Sequence, residues 1–171
     1  LRFYVNNIFR GEIMENIIKK SYKMFINGEW VNSSNGVVVK TYSPYNGELL
    51  SEFPDASETD VDLAVKAAKE AFKTWKKTTV KERAKLLNEI ADIIDANKDL
   101  LATVETMDNG KPIRETKGVD IPLASAHFRY FAGCILADEG KATVLDEKFL
   151  SLILREPIGV VGQIIPWNFP F

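Results

Sequence analysis

The sequence predicts an α/β fold in which a β-rich N-terminal part precedes several helices and a final buried strand. Residues 24–55 hold β-branched and aromatic runs that are interrupted by Asn-Gly pairs, a pattern typical of hairpins. From Val61 onward, apolar residues recur every three or four positions, as on one face of a helix. Residues 158–165 are apolar at nearly every position, which is typical of a strand covered on both faces.

The overall composition excludes several classes of function. The 171 residues are 46% hydrophobic and 27% charged, and their net charge is −2. We therefore expect no binding to nucleic acid or to an anionic membrane surface. No apolar run reaches the roughly 18 residues of a membrane span. The single cysteine, Cys134, excludes an internal disulfide and favours a reducing, cytoplasmic location.

The N-terminus, residues 1–23, is predicted to be a separate N-terminal extension. Residues 1–13 begin without methionine and match no known motif, whereas Met14 opens a stretch that resembles a natural start. The codons of Arg10, Gly11 and Glu12 can resemble a bacterial ribosome-binding site. We therefore interpret residues 1–13 as upstream DNA translated in frame, which a native product carrying them in mass spectrometry would contradict.

Short strands are predicted for residues 24–55. "FINGEWV" and "YNGELLSEF" each carry an Asn-Gly pair, which favours the positive backbone angles of a tight turn. "VVVKTYSP" lies between them, is rich in β-branched residues and ends at Pro44.

Three helices are predicted next, with start signals before the first two. Ser57 and Asp60 resemble a capping arrangement, and Thr79 with Glu82 matches the capping box more closely. Gly110 suits a left-handed residue at the end of the third helix. The predicted apolar faces comprise Val61, Val65, Ala68, Phe72 and Trp75; Ala84, Leu87, Ala91 and Ile94; and Leu100, Leu101, Val104 and Met107.

A fourth helix is predicted over residues 115–138, and two strands are predicted after it. Pro122 should kink this helix or mark its effective start. "FLSLILREP" and "IGVVGQII" are the two predicted strands. The apolar face of the fourth helix is formed by Ala124, Phe128, Phe131 and Ile135.

Two reactive side chains on the fourth helix are predicted to be structural. His127 has no nearby Ser, Cys or Asp at a telling spacing. Cys134 lies in the apolar "YFAGCIL", where a lone cysteine behaves as a small hydrophobic residue. No complete phosphate-binding motif is present, because "GVVGQ" is not G-x-G-x-x-G.

The loop after the final strand, "PWNFP", carries the strongest candidate for chemistry. A loop that leaves such a strand is where α/β proteins bind ligands. The amide of Asn168 can donate an N–H to a developing oxyanion, a contact worth roughly 3–4 kcal/mol of barrier. Asn168 can equally cap a following helix, and from residue types alone this role is favoured.

The stretch "REPIGVVGQIIPWNFP" resembles the start of the cofactor domain in the aldehyde dehydrogenase superfamily. "FINGEWV", "TYSPYNGELL", "AVKAAKEAFKTW", "ERAKLLNEIADII", "ETMDNGKPIRET" and "RYFAG" follow in the order and spacing of that family. The resemblance covers about residues 24–171. It is strongest to general bacterial NAD-dependent aldehyde dehydrogenases, with betaine-aldehyde-type enzymes as a near alternative.

The resemblance implies the N-terminal portion of an aldehyde dehydrogenase-like fold. Residues 24–141 then form the N-terminal part of the cofactor domain. Residues 142–156 supply strands of an oligomerisation arm. Residues 157–171 are the truncated first strand and loop of a Rossmann-like dinucleotide-binding core.

The resemblance also implies an activity and a set of site residues. The family oxidises aldehydes to carboxylic acids with NAD or NADP through a cysteine thiohemiacetal, and it forms homo-oligomers. Asn168 matches the amide that stabilises the oxyanion. Thr41 and Asp108 match positions near a structural monovalent cation. The positions that match the segment along the dinucleotide are Ile164, Ile165, Pro166 and Trp167.

The chain departs from the family pattern in its nucleophile. The catalytic cysteine and the general-base glutamate lie downstream in the family, and Cys134 does not match the nucleophile. We therefore expect an inactive fragment of an active parent. Two alternatives stay open: a non-catalytic module that pairs its β-arm with an intact relative, and the product of a disrupted gene. The aldehyde, and the choice between NAD and NADP, depend on downstream residues.

Overall fold

The computed structural model describes residues 17–171, so the interpretation of residues 1–13 lies outside it. Strands come first, helices follow, and a last hairpin precedes residues 157–171, in the predicted order. The elements are β1 (Met24–Ile26), β2 (Glu29–Val31), β3 (Val38–Tyr42), β4 (Leu49–Pro54), α1 (Glu58–Trp75), α2 (Val80–Ala96), α3 (Lys98–Asn109), α4 (Ile113–Glu115), a π-helical turn (Thr116–Asp120), α5 (Ile121–Cys134), β5 (Lys141–Val144) and β6 (Leu150–Ile153).

The strands form three separate antiparallel pairs, β1–β2, β3–β4 and β5–β6. Asn27 and Gly28 join the first pair with φ angles of 54° and 83°, as a tight turn of the predicted kind requires. In the second pair, Thr41 lies opposite Ser51, and the register shifts between Thr41 and the next residue. Both Asn-Gly turn predictions are confirmed, since Gly47 also has a positive φ, 73°.

Both predicted helix starts are confirmed as reciprocal capping boxes. The Ser57 hydroxyl accepts from the backbone N–H of Asp60, whose carboxylate accepts from the backbone N–H of Ser57. Thr79 and Glu82 make the same exchange at α2. Each box satisfies backbone donors that the first turn of a helix leaves unpaired.

The core lies where α2, α3 and α5 meet. Ile94, Ala102 and Ile121 are buried together, and the half-buried side chains of Ile90, Leu101 and Phe128 pack against them. Ala91 on α2 and Ala132 on α5 are also buried, and small residues allow two helices to approach closely. The predicted apolar face of α2 is therefore the face that the core uses.

The predicted apolar face of α1 is only partly covered. Ala68 and Phe72 are half-buried, but Val61, Val65 and Trp75 are exposed. Helical spacing identifies an apolar face but does not identify what packs against it.

The predicted fourth helix is divided into parts and ends at Cys134 rather than at residue 138. The π-helical turn Thr116–Asp120 precedes α5, and Pro122 lies in the first turn of α5. Proline has no N–H to donate one turn back, which suits the first turn of α5, although Asp120 and Ile121 before it keep helical backbone angles. The predicted effective start at Pro122 is thus confirmed.

The two predicted strands at the end of the chain have different outcomes. "FLSLILREP" forms β6, which pairs with β5. "IGVVGQII" forms no strand, and Ile158 and Ile164 are 94% and 100% exposed. A strand needs a neighbour for its N–H and C=O groups, and no part of residues 17–171 supplies one here. The division of the chain after residues 23, 141 and 156 stays a prediction.

Across residues 17–171, no helix combines the length and the apolar character needed to cross a bilayer.

Candidate active site

The "PWNFP" loop turns sharply around Asn168. The backbone N–H of Phe169 donates to the carbonyl oxygen of Pro166 at 3.3 Å. Asn168 is exposed, and its side-chain amide makes no hydrogen bond to any residue in the described part of the chain. Both roles predicted for Asn168, donor to an oxyanion and cap of a following helix, stay predictions.

The main chain of this loop is held by the turn that follows α3. The side-chain amide of Asn109 donates to the carbonyl oxygen of Trp167 at 2.5 Å. The ammonium group of Lys111 donates to the carbonyl oxygen of Asn168 at 2.7 Å. Two side chains of one turn thus hold two consecutive carbonyl groups.

Gly110, between these two donors, allows the turn to form. Its φ is 82°, a left-handed angle that glycine adopts without a steric penalty. A Cβ at this position would also lie 2.7 Å from the Cγ atom of Pro44. The turn therefore lies against the β3–β4 loop, where only glycine fits.

Lys111 is itself held among acidic and aromatic groups. Its side chain is only 15% exposed. The ammonium group pairs with Asp120 of the π-helical turn and lies 3.7 Å from Glu105 of α3. It also lies 4.1 Å from the ring centre of Phe169, within reach of a cation–π contact. These contacts leave the ammonium group little freedom to move.

Glu105 is the most perturbed titratable group of the site. Burial, together with the nearby Asp120, raises the pKa of its carboxyl to about 7, while Lys111 acts in the opposite direction. Neither carboxyl oxygen has a hydrogen-bond partner among the described residues. This carboxyl group can therefore gain or lose a proton close to neutral pH.

A cavity of about 290 Å³ lies beside this cluster. The Thr41 hydroxyl donates to the Asp108 carboxylate at 2.6 Å, so the structure brings together the two residues predicted near a cation. Both residues, with Glu105 and Phe171, line the cavity. Over residues 17–171, no three His, Cys, Asp or Glu side chains are arranged to hold a metal ion.

The other predicted residues lie either in the exposed segment 164–167 or on α5. The side chains of Ile164, Ile165 and Trp167 are exposed. Cys134, at the end of α5, is exposed, and its structural role stays a prediction. His127 is also exposed, and it is not part of the cluster.

Sequence reasoning missed Glu105, Asn109, Lys111 and Asp120. The sequence pattern of "DNGKP" indicated the end of a helix and, through Asp108, a cation site, but it did not indicate that Asn109 and Lys111 hold the loop. Glu105 offered a signal, because it is a carboxylate at helical spacing from Leu101 on an otherwise apolar face. Buried carboxylates are rare unless they are paired.

Comparison with known proteins relates this arrangement to one family. The sequence profile of the "Aldehyde dehydrogenase family" matches residues 30–171. "Long-chain-aldehyde dehydrogenase" of Acinetobacter sp is 50% identical over 152 residues, which are 89% of this chain and 30% of the relative. "Aldehyde dehydrogenase B" of Escherichia coli (strain K12) is 49% identical over 153 residues, or 90% of this chain and 30% of the relative.

A solved structure agrees with the sequence matches. The NAD-dependent aldehyde dehydrogenase from Sinorhizobium meliloti superposes with a TM-score of 0.83 and 38% identity, over 89% of this chain and 31% of that chain. The chain thus spans about 30% of the length of the curated relatives that it matches. With the profile covering most of its residues, the chain belongs to the aldehyde dehydrogenase family.

Proposed function

We propose that this chain supplies the N-terminal part of an enzyme that oxidises aldehydes to carboxylic acids with NAD or NADP. In the balanced reaction, aldehyde, water and oxidised cofactor give carboxylic acid, reduced cofactor and one proton. A cysteine thiol of the parent adds to the aldehyde carbon to form a thiohemiacetal. The observation that supports this proposal is the ordered main chain around Asn168, where the carbonyl groups of Trp167 and Asn168 accept hydrogen bonds from Asn109 and Lys111.

The role of Asn168 is to bind the oxygen that becomes negatively charged when the thiol adds. An amide N–H can donate to that oxygen, whereas an ionised aspartate at the same position could not. A donor that is already oriented needs no rearrangement during the reaction, and its removal costs about 100- to 1000-fold in kcat.

The residues proposed to lie along the dinucleotide are consecutive and accessible. Ile164, Ile165 and Trp167 expose apolar surface, and Pro166 has no N–H that would need a partner. The cofactor supplies the hydride acceptor when it is bound. The similar enzyme from Sinorhizobium meliloti is NAD-dependent, which supports NAD as the cofactor of the parent. NADP stays an alternative.

Thr41 and Asp108 are proposed to lie beside a structural monovalent cation. Their contact places a carboxylate at the wall of the cavity. Oxygen atoms are the ligands that hard cations prefer. The carboxylate would supply charge, and backbone oxygen atoms of neighbouring residues would complete the ligand set.

The 171 residues alone are proposed to be inactive. Cys134 is their only cysteine, and it lies at the end of α5, not in the loop that carries Asn168. The nucleophile and the general base then belong to the remainder of the parent. We propose a cytoplasmic homo-oligomer for that parent. Oxidation of aldehydes by this chain alone at an ordinary rate would contradict this proposal.

A second candidate function is a non-catalytic module that binds an intact relative. The observation that favours it is the apolar surface of the β5–β6 hairpin, where Val144, Leu150 and Leu152 are exposed. Association of the purified chain with a purified aldehyde dehydrogenase, with altered activity of that enzyme, would support this function.

The decisive experiment joins the whole chain to the downstream remainder of the Escherichia coli relative. In this chimeric enzyme, Asn168→Ala should lower kcat with acetaldehyde or a long-chain aldehyde about 100-fold or more. Asn168→Asp should be at least as damaging. Asn88→Ala, which removes an amide on α2, is the matched control. Activity of Asn168→Ala within threefold of the parent chimera would overturn the role of Asn168.

A further inference from the structure

The turn after α3 holds the candidate loop by its backbone and not by its reactive side chain. Asn109 and Lys111 donate to the carbonyl groups of Trp167 and Asn168, which are neighbours in the chain. Lys111 and Asn168 are 57 residues apart in the sequence. Ordering the loop through this contact costs chain entropy.

The ammonium group of Lys111 has defined partners on several elements. Asp120 pairs with it from the π-helical turn, Glu105 lies at 3.7 Å on α3, and the ring of Phe169 lies at 4.1 Å. A lysine ammonium group has three hydrogen-bond donors. With one donor directed at Asp120 and one at the carbonyl group of Asn168, the position of that carbonyl group is tied to the helices.

The hold on the Asn168 carbonyl group restrains the backbone from which the Asn168 side chain extends. The carbonyl carbon and the side chain are both bonded to the Cα atom of Asn168, so a displacement of this backbone also displaces the amide. A misplacement of about 1 Å at a reacting group can cost on the order of 100-fold in rate. A loop held only by the contact between Phe169 and Pro166 would have no such restraint from the helices.

We propose that Lys111, assisted by Asn109, is a positioning residue that fixes the main chain of Asn168 and so directs its free amide at the oxyanion. This inference rests on the proposed function of Asn168. Lys111 acts through Asn168 and does not itself contact the reacting atoms. Asp120 and Glu105 set the position of the Lys111 ammonium group.

The test uses kinetics of the chimeric enzyme. Lys111→Met keeps the length of the side chain but removes its charge and donors, and it should lower kcat roughly 10- to 100-fold. The KM for the cofactor should stay within about threefold. Lys111→Arg should restore part of kcat. Lys117→Met is the control, because Lys117 lies in the π-helical turn and pairs only with the exposed Asp99 among the described residues.

A double-variant cycle separates positioning from general support. In an Asn168→Ala background, Lys111→Met should lower kcat no further, because the group that Lys111 positions is already gone. Losses that multiply in the double variant would overturn the inference. A full kcat for Asn168→Ala would instead overturn the proposed function, whatever Lys111→Met does.

A second variant and a second readout cover the case in which Lys111→Met does not fold. Asn109→Ala removes only the donor to the Trp167 carbonyl group and should lower kcat several-fold, with the same lack of additivity. In the 171-residue chain, the carbonyl ¹³C resonance of Asn168 should shift in Lys111→Met and stay unchanged in Lys117→Met. An unchanged Asn168 resonance in Lys111→Met would contradict the contact itself.

Discussion

The Thr41 hydroxyl group donates to a carboxylate oxygen of Asp108 at 2.6 Å, joining β3 to the last turn of α3 across 67 residues. The contact lies next to the turn that holds the "PWNFP" loop. It therefore links the N-terminal strands to the candidate active site.

Thr41→Val should weaken this link and lower the free energy of unfolding by about 1 kcal/mol, because one hydrogen bond is lost. Urea unfolding of the chain measures the change. Thr103→Val is the control, since the Thr103 hydroxyl donates only to a carbonyl group within its own helix. If a cation binds here, exchange of potassium for tetramethylammonium should lower Tm in the parent and not in Asp108→Asn.

Gly110→Ala should be more damaging than the same change at Gly28. The two residues have nearly the same φ, 82° and 83°. An added Cβ would meet Pro44 at 2.7 Å at Gly110, and it would meet nothing within 4 Å at Gly28. Gly28→Ala should therefore cost about 1 kcal/mol for the backbone angle alone. Gly110→Ala should cost about 1–3 kcal/mol more, and equal losses of Tm would contradict the close contact.

Glu105→Gln should change how stability depends on pH. The folded state raises the pKa of Glu105 from 4.5 to about 7, so it favours the neutral carboxyl. This contribution is fully present below pH 4.5 and is lost as pH rises through about 7. The parent should therefore lose stability between pH 5 and pH 8, whereas Glu105→Gln should lose less, by on the order of 2 kcal/mol at pH 8.

Glu89→Gln is the matched control for this pH effect, because the side chain of Glu89 is exposed on α2. Unfolding by urea at a series of pH values gives both profiles. Parallel profiles for the parent and Glu105→Gln would show that Glu105 is ionised in the folded chain at pH 5.

Ile121→Ala should be strongly destabilising, since Ile121 is fully buried against Ile94 and Ala102. Removal of a buried isoleucine side chain costs about 2–5 kcal/mol, including the cavity that it leaves. Ile93→Ala, at an exposed position of α2, should change stability by less than about 1 kcal/mol. Similar Tm losses for the two variants would place the core elsewhere.

The local features of the fold were predictable from the sequence because their causes are local. The Asn27-Gly28 turn and the capping box of Thr79 with Glu82 depend on residues within four positions of one another. The end of α3 at Gly110 is of the same kind. For each of these, residue type and spacing alone were sufficient.

The features that were missed depend on contacts between distant parts of the chain. The exposure of Val61 and Trp75 depends on what packs against α1, which the sequence pattern does not state. The strand predicted for residues 158–165 needs a partner strand. The hold of Lys111 on Asn168 spans 57 residues, so no local pattern could reveal it.

The separation of the strands into three hairpins has a kinetic consequence. Each pair closes within a short stretch, the widest running from Val38 to Pro54, so its contacts can form soon after those residues are joined. Topologies dominated by such near-neighbour contacts fold quickly. The segment is therefore suited to folding on the ribosome, acquiring its hairpins and helices while later residues are still being synthesised.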